Sequence, residues 1–270
     1  MQNNVNLSLL LPQVSQIVRT VASIIKQSPF SVTAKSGATD ILTSNDLASQ
    51  HHLIKELGEL LPESGFYCEE EGVHDLAKEW VWVIDPIDGT ANYSRGIANC
   101  AISVALMHDQ KVVLGVVCDI HSGDVYSATL GGGAFFNEHP ISVSNNSFER
   151  SLLCTAMSLY KKEHAKVCSD IIYEAYMQCN DVRRFGSCAL ELCYLACGHC
   201  ELYFEIRVFP WDYAAAYLIL QEAGGIITGL GNEPLKLNTP SVVIAANTAE
   251  NHAKLSEIIS KHLPTTPYED

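Results

Sequence analysis

The sequence predicts an α/β protein in two halves, an antiparallel sheet in the first and a smaller mixed sheet in the second. Two observations carry this. Between residues 80 and 129, short apolar runs separated by turn residues follow one another directly, the pattern of adjacent antiparallel strands. Beyond Gly131-Gly132-Gly133 the order changes to strand-like runs alternating with helix-length segments. The change of pattern divides the chain near residue 145, into 1–145 and 146–270. No internal repeat and no Pro/Gly/Ser-rich linker marks a boundary, so the halves are read as one integrated unit.

A first helix is expected over Val5 to Ile25, where Leu10, Val14, Ile17, Val18, Val21 and Ile25 recur at helical spacing. A second runs from about Ser44, with Ser44 or Asn45 as its cap, to Leu60, and Pro62 lies just past its end. Phe66-Tyr67-Cys68 leads into the acidic run Glu69-Glu70-Glu71. The strand Trp80 to Ile84 leads into Asp85-Pro86-Ile87-Asp88-Gly89-Thr90, so both acidic clusters sit at strand ends. Runs at Ala101 to Met107, Val112 to Cys118 and Val125 to Thr129 complete the first sheet. In the second half, Leu152 to Ala156, Val182 to Phe185, Leu202 to Glu205 and Val242 to Ala245 read as strands, and Ala249 to His262 as a closing helix.

Composition narrows the function. Of 270 residues, 47% are hydrophobic and 18% charged, which excludes a disordered chain and leaves a globular one. The formal net charge of −14 offers no basic face for nucleic acid or an anionic membrane. An acidic chain still binds phosphate through metal ions, provided carboxylates are grouped to hold them. The first residues carry no basic segment before an apolar stretch, and no uninterrupted apolar run approaches the ~18 residues of a span, so neither export nor a membrane span is expected. Ten cysteines scattered from Cys68 to Cys200 read as reduced thiols of a cytoplasmic protein. Cys193, Cys197 and Cys200 with His199 have the chemistry of a zinc site. The apolar helical stretch from Leu190 to Cys197 instead favours small buried thiols.

The most informative stretch runs from Trp82 to Tyr93. Asp85 and Asp88, three apart, converge on a shared hard cation if the chain turns between them, and Pro86 fixes one dihedral of that turn. Gly89 lets backbone approach a ligand, and Thr90 opens a helix whose free N–H groups favour phosphate. Asp-Pro and Asp-Gly are also ordinary turn dipeptides, and aspartates cap helices. Taken singly, Glu69 to Glu71 is a solvated run, Asp46 a first-turn acid, Trp211-Asp212 a helix start and Glu205 a surface charge.

Their joint order resembles the inositol monophosphatase family along nearly the whole chain. Asp85-Pro86-Ile87-Asp88-Gly89-Thr90 resembles its central signature, Asp40 to Asp46 with Lys35-Ser36 before it its first acidic segment, and Glu69-Glu70 its paired glutamates. Trp211-Asp212 is followed, after eleven intervening residues, by Gly224-Gly225, as in the family's lithium-sensitive phosphatases, and Glu205 lies seven before Asp212, as in inositol-selective members. The resemblance implies a layered αβαβα sandwich and a homodimer. It also implies a magnesium-dependent, lithium-sensitive hydrolysis of a small sugar or polyol phosphate, inositol 1-phosphate foremost.

Five clustered carboxylates raise one another's pKa unless cations neutralise them, and oxygen ligands facing a phosphate ester suit magnesium. By resemblance, Glu69, Asp85 and the Ile87 carbonyl hold a first ion, Asp85, Asp88 and Asp212 a second, and Glu69 with waters a weaker third. Thr90 and Asp46 position or deprotonate the attacking water, and the N–H groups of Gly89 and Thr90 bind phosphate. Gly186, Ser187 and Cys188 line the substrate, and Glu205, helped by Asp88, reads its hydroxyls. Three residues depart from the pattern: Cys188 where alanine is frequent, Ala216 where many relatives have glycine, and Arg207. Arg207 is expected to face solvent or pair with an acid rather than to select a second phosphate. The competing readings are a fructose-1,6-bisphosphatase, a 3′-phosphoadenosine 5′-phosphate phosphatase or a histidinol-phosphate phosphatase of the same family, and a non-catalytic regulatory protein.

Overall fold

The structure, a computed structural model, describes residues 5–35, 41–157 and 162–265. Ser36 and Asp40, compared with the family above, lie outside the described residues. The first half runs α1 (Leu7–Gln27), β1 (Val32–Ala34), β2 (Ile41–Thr43), α2 (Ser44–Leu60), β3 (Gly65–Cys68), β4 (Trp80–Asp88), α3 (Thr90–Tyr93), β5 (Ala101–His108), β6 (Lys111–Asp119), β7 (Val125–Thr129), β8 (Gly133–Phe136) and β9 (His139–Pro140). The second runs β10 (Leu152–Thr155), α4 (Ala165–Tyr176), β11 (Asp181–Arg183), α5 (Cys188–Ala196), β12 (Leu202–Val208), α6 (Pro210–Glu222), β13 (Ile226–Thr228), β14 (Ser241–Ala246) and α7 (Ala249–His262).

Strands β3 to β9 form one sheet in sequence order, antiparallel except where β3 pairs with β4 in parallel. The second sheet, ordered β11-β10-β12-β14-β13, is mixed. Alternation along the strands sends each sheet's two faces to different cores. On β4, Trp82 and Ile84 pack with α1 and α2, whereas Val81 and Val83 face the other way, toward α5 and α6. On β14, Val243 and Ala245 join that central core, while Val242 and Ile244 pack with α4 and α7. The result is five layers, αβαβα, with α5 and α6 between the sheets. Close packing of this middle layer needs a glycine: a Cβ on Gly115 of β6 would lie 2.5 Å from the Ala215 carbonyl oxygen of α6.

Several expectations move. The first helix starts at Leu7 because Asn6 caps it, accepting from the Ser8 and Leu9 amides. By length and composition α1 is apolar enough to cross a membrane, with a mean hydropathy of 1.3. Its Leu10, Val14, Val18, Val21 and Ile25 are buried against the first sheet and α2. The second helix has its expected ends, but the capping residue is Thr43, not Ser44 or Asn45. Asp46 accepts from the Thr43 amide, while Ser44 accepts from Ser31 and Asn45 donates to the Ile25 carbonyl. Strand β4 does not stop at Ile84. It continues through Asp88 with a register shift between Asp85 and Asp88, so a bulge rather than a chain reversal brings the two carboxylates together. The helix opened by Thr90 is a single turn, too short for an appreciable dipole.

Candidate active site

Five segments meet at one cleft. The bulged end of β4 supplies Asp85, Ile87 and Asp88, Gly89 and Thr90 follow, Glu69 comes from just past β3, and Asp212 from the first turn of α6. Gly186, Ser187 and Cys188, at the entry to α5, and Glu205 on β12 form the facing wall. Of the twelve residues singled out from sequence, eleven line this cleft; Asp46 stands behind it and reaches it through Thr90.

Each acid is held by local geometry. Asp85 accepts the Ile87 amide at 2.9 Å. Asp88 receives the Ser187 hydroxyl at 2.5 Å and the Ala189 amide at 2.7 Å, both on Oδ2. Asp212 accepts the Phe209 amide at 2.7 Å, closing the first turn of α6, where Pro210 needs no N–H partner. Asp46 accepts the amide and hydroxyl of Thr43 on Oδ2, and its Oδ1 lies 3.2 Å from Thr90 Oγ1. The Thr90 hydroxyl is also 2.9 Å from the Ile87 carbonyl oxygen. Gly89 has φ +89°, and a Cβ there would sit 3.0 Å from the carbonyl oxygens of both Asn99 and Gly186, so only glycine passes between these strands of chain.

Crowding of like charges away from water pushes these groups up. Asp85 and Asp212 lie well above the usual carboxylate range, through burial first and then the charge of Glu69; Asp88 is raised to about 6 by burial. Burial also lifts Glu205 to about 7, although the Tyr203 hydroxyl donates to its Oε2 at 2.7 Å. Glu69 turns its carboxylate to the Lys35 ammonium at 2.9 Å, and Lys35 also bonds Glu70.

Among the described residues, no three Cys, His or acid side chains converge tightly enough to form a ready-made ion cage. The donors nevertheless fit magnesium. They are all oxygen, the carboxylates of Glu69, Asp85, Asp88 and Asp212 line one cleft, and magnesium keeps several waters rather than demanding a full protein cage. The upward shifts of Asp85, Asp88 and Asp212 mark a charge deficit that a divalent cation would fill. Of the cysteines weighed for zinc, Cys193 and Cys200 are buried, and Cys200 shares a hydrogen bond with Cys154.

The inositol monophosphatase family model matches residues 4–263. The chain belongs to the inositol monophosphatase family. Relatives include the Nus factor SuhB of Vibrio cholerae, 34% identical over 73% of this chain and 74% of that protein. The putative Nus factor SuhB of Neisseria meningitidis is 36% identical over 83% and 86%. Among solved structures, the Thermotoga maritima IMPase superposes with a TM-score of 0.85 at 28% identity, covering 94% of this chain and 97% of that one. SaIMPase-II bound to inositol monophosphate gives 0.79 at 28%, covering 93% and 95%, and the same enzyme has been solved with 2′AMP.

Family membership leaves two features of this cleft that sequence reasoning misplaced or missed. Of the two places expected for Arg207, solvent or an acid partner, the first does not hold: the residue is half-buried. It lines the cleft with Arg184, its guanidinium carbon 4.9 Å from the centre of the Phe209 ring, which itself stacks on Trp211 at 4.8 Å. Glu191 carries no local signal, being an acid in a helix's first turn, and Asn92, part of the Ala91-Asn92-Tyr93 continuation of the central motif, had no structural role assigned to it. Asn92 Nδ2 donates to the carbonyls of Asn99 and Phe185 at 2.8 and 2.7 Å, tying the central motif to the loop before α5.

Proposed function

We propose that the chain is a magnesium-dependent phosphatase that hydrolyses a small polyol phosphate monoester, inositol 1-phosphate foremost, to the free polyol and phosphate. The observation that carries this reading is the convergence of Glu69, Asp85, Asp88 and Asp212 on one cleft beside Thr90. Glu69, Asp85 and the Ile87 carbonyl would hold one ion, Asp85, Asp88 and Asp212 a second, and Glu69 with waters a third. When bound, magnesium lowers the pKa of water and balances charge on the phosphoryl and leaving oxygens. Asp46 and Thr90 supply general-base chemistry: the Thr90 hydroxyl, 3.2 Å from Asp46 Oδ1, orients the attacking water, and the water's proton passes toward Asp46. Gly89 and Thr90 present backbone N–H groups to the phosphate. Tyr203 occupies Oε2 of Glu205, which leaves Oε1 to accept from ring hydroxyls of the polyol. The resemblance adds lithium sensitivity and a homodimer; the scattered cysteines and the net charge of −14 are the grounds for a cytoplasmic protein with no membrane partner.

A second reading within the same chemistry is a bisphosphatase acting on fructose 1,6-bisphosphate or 3′-phosphoadenosine 5′-phosphate. Arg184 and Arg207 on the cleft wall favour it, since guanidinium groups pair with phosphate in two-point geometry. A regulatory role of another class is suggested by relatives named Nus factors. A net charge of −14 disfavours non-specific contact with nucleic acid in such a role. The test is phosphate release with magnesium from inositol 1-phosphate, fructose 1,6-bisphosphate and 3′-phosphoadenosine 5′-phosphate, each with and without lithium. Preferred, lithium-inhibited release from the inositol ester is expected. Preference for a bisphosphate moves the assignment to the second reading, and no release from any ester overturns the enzyme reading.

A further inference from the structure

One buried carboxyl group at the cleft has half of its hydrogen-bonding capacity committed to the backbone and half uncommitted. Glu191, 1% exposed, stands in the first turn of α5. Its Oε1 accepts the amides of Phe185 and Gly186, each at 2.8 Å, and among the described residues nothing hydrogen-bonds its Oε2. The segment it grips is under conformational demand: Gly186 has φ +88°, and its carbonyl oxygen is one of the two atoms packed against Gly89. The next residue, Ser187, caps α5, accepting from the Leu190 amide while its hydroxyl donates to Asp88 Oδ2. The Ala189 amide binds the same oxygen. Asp88 therefore has Oδ2 fixed by the α5 entry, which sets the direction in which Oδ1 points.

We infer that Glu191, which is assigned neither to metal nor to substrate, is the positioning residue that sets the orientation of Asp88 through the Phe185–Ser187 turn. Removing the acceptor at Oε1 frees two adjacent amides at a φ-positive corner. Ser187 then loses its fixed place, and Asp88 one of the two donors that anchor Oδ2. The inference rests on Asp88 being a metal ligand, as proposed above. Partners one step behind a ligand commonly change metal affinity by about 10- to 100-fold when mutated, and Glu191 acts one step further back. About tenfold is expected.

The test compares Glu191→Gln, Glu191→Leu and Asp88→Asn in the full-length protein. Manganese affinity is read from the free-ion electron paramagnetic resonance signal, and the thermal midpoint of the metal-free protein reports folding. Gln keeps an oxygen for both amides and should bind manganese within about twofold of wild type. Leu should bind about tenfold more weakly at a midpoint showing a folded protein. Adding Glu191→Leu to Asp88→Asn should weaken binding no further, because coupled residues are not additive. If the leucine variant fails to fold, Glu191→Asp takes its place, one methylene too short to reach both amides. A folded Leu or Asp variant that binds as wild type overturns the inference, as do a glutamine variant as weak as leucine and additive losses in the double variant. Wild-type binding by Asp88→Asn itself overturns the ligand assignment, and the inference with it.

Discussion

Thr43 grips Asp46 through both its amide and its hydroxyl, so Oδ2 is satisfied and Oδ1 is left facing Thr90. That geometry separates a base from a structural cap. Asp46→Asn keeps the shape of the contact and removes the proton acceptor, so kcat should fall about 10²- to 10⁴-fold with KM little changed. A steady-state profile with KM raised and kcat intact contradicts the role. Gly89→Ala is expected to cost about 1–3 kcal/mol in urea denaturation, because alanine is strained at φ +89° and its methyl meets two carbonyl oxygens. At this scale Asp85, Asp88 and Thr90 were legible because they are neighbours in the chain. Asp212 and Glu205 were legible through spacing that resembles a family. Glu191 and the cleft-facing Arg207 were not: Glu191 is held by backbone amides five and six residues before it and Arg207 stands over a neighbouring ring, arrangements set by backbone conformation that leave no side-chain pattern in the sequence.

The functional geometry depends on how elements end. Strand β4 passes through its acidic motif with a bulge, and α6 begins on Pro210 with Asp212 closing its first turn. The long apolar strands and helices were readable because their periods are sustained: α2 and α7 have the ends expected of them. Strands β1, β2, β8, β9 and β13 are two to four residues each, too short to show a period, and were missed. The parallel pairing of β3 with β4 was equally invisible, because direction is decided by the crossover and not by the strand. Packing of α6 against β6 gives a prediction at this scale. Gly115→Ala places a methyl 2.5 Å from the Ala215 carbonyl and should destabilise by about 1–3 kcal/mol, read as a lowered urea midpoint. An unchanged midpoint would mean that the two central layers are not in contact there.

Across the whole molecule, the acids that make the cleft oppose the fold when no cation is bound. Burial raises Asp88 to about 6, Glu205 to about 7 and Glu191 to about 8. The unfolded chain ionises its carboxyls near pH 4 and so binds fewer protons than the native state between there and pH 8. The stability of the metal-free protein should therefore be greatest below that range and fall as pH rises through 6 to 8. Urea midpoints in a chelator at pH 5.5 and pH 8.5 check this: a lower midpoint at pH 8.5 that magnesium restores is expected, and equal midpoints contradict it. The layered architecture was legible from the order of elements together with the family resemblance, while the joining of its two sheets by one central core emerges only in three dimensions. The most direct test of the central claim is magnesium-dependent phosphate release from inositol 1-phosphate by the wild-type protein beside Asp85→Asn, with circular dichroism confirming that both are folded. Magnesium-dependent turnover is expected in the wild type, with near-complete loss in the variant; equal release by the two proteins would contradict a metal-centred phosphatase at this cleft.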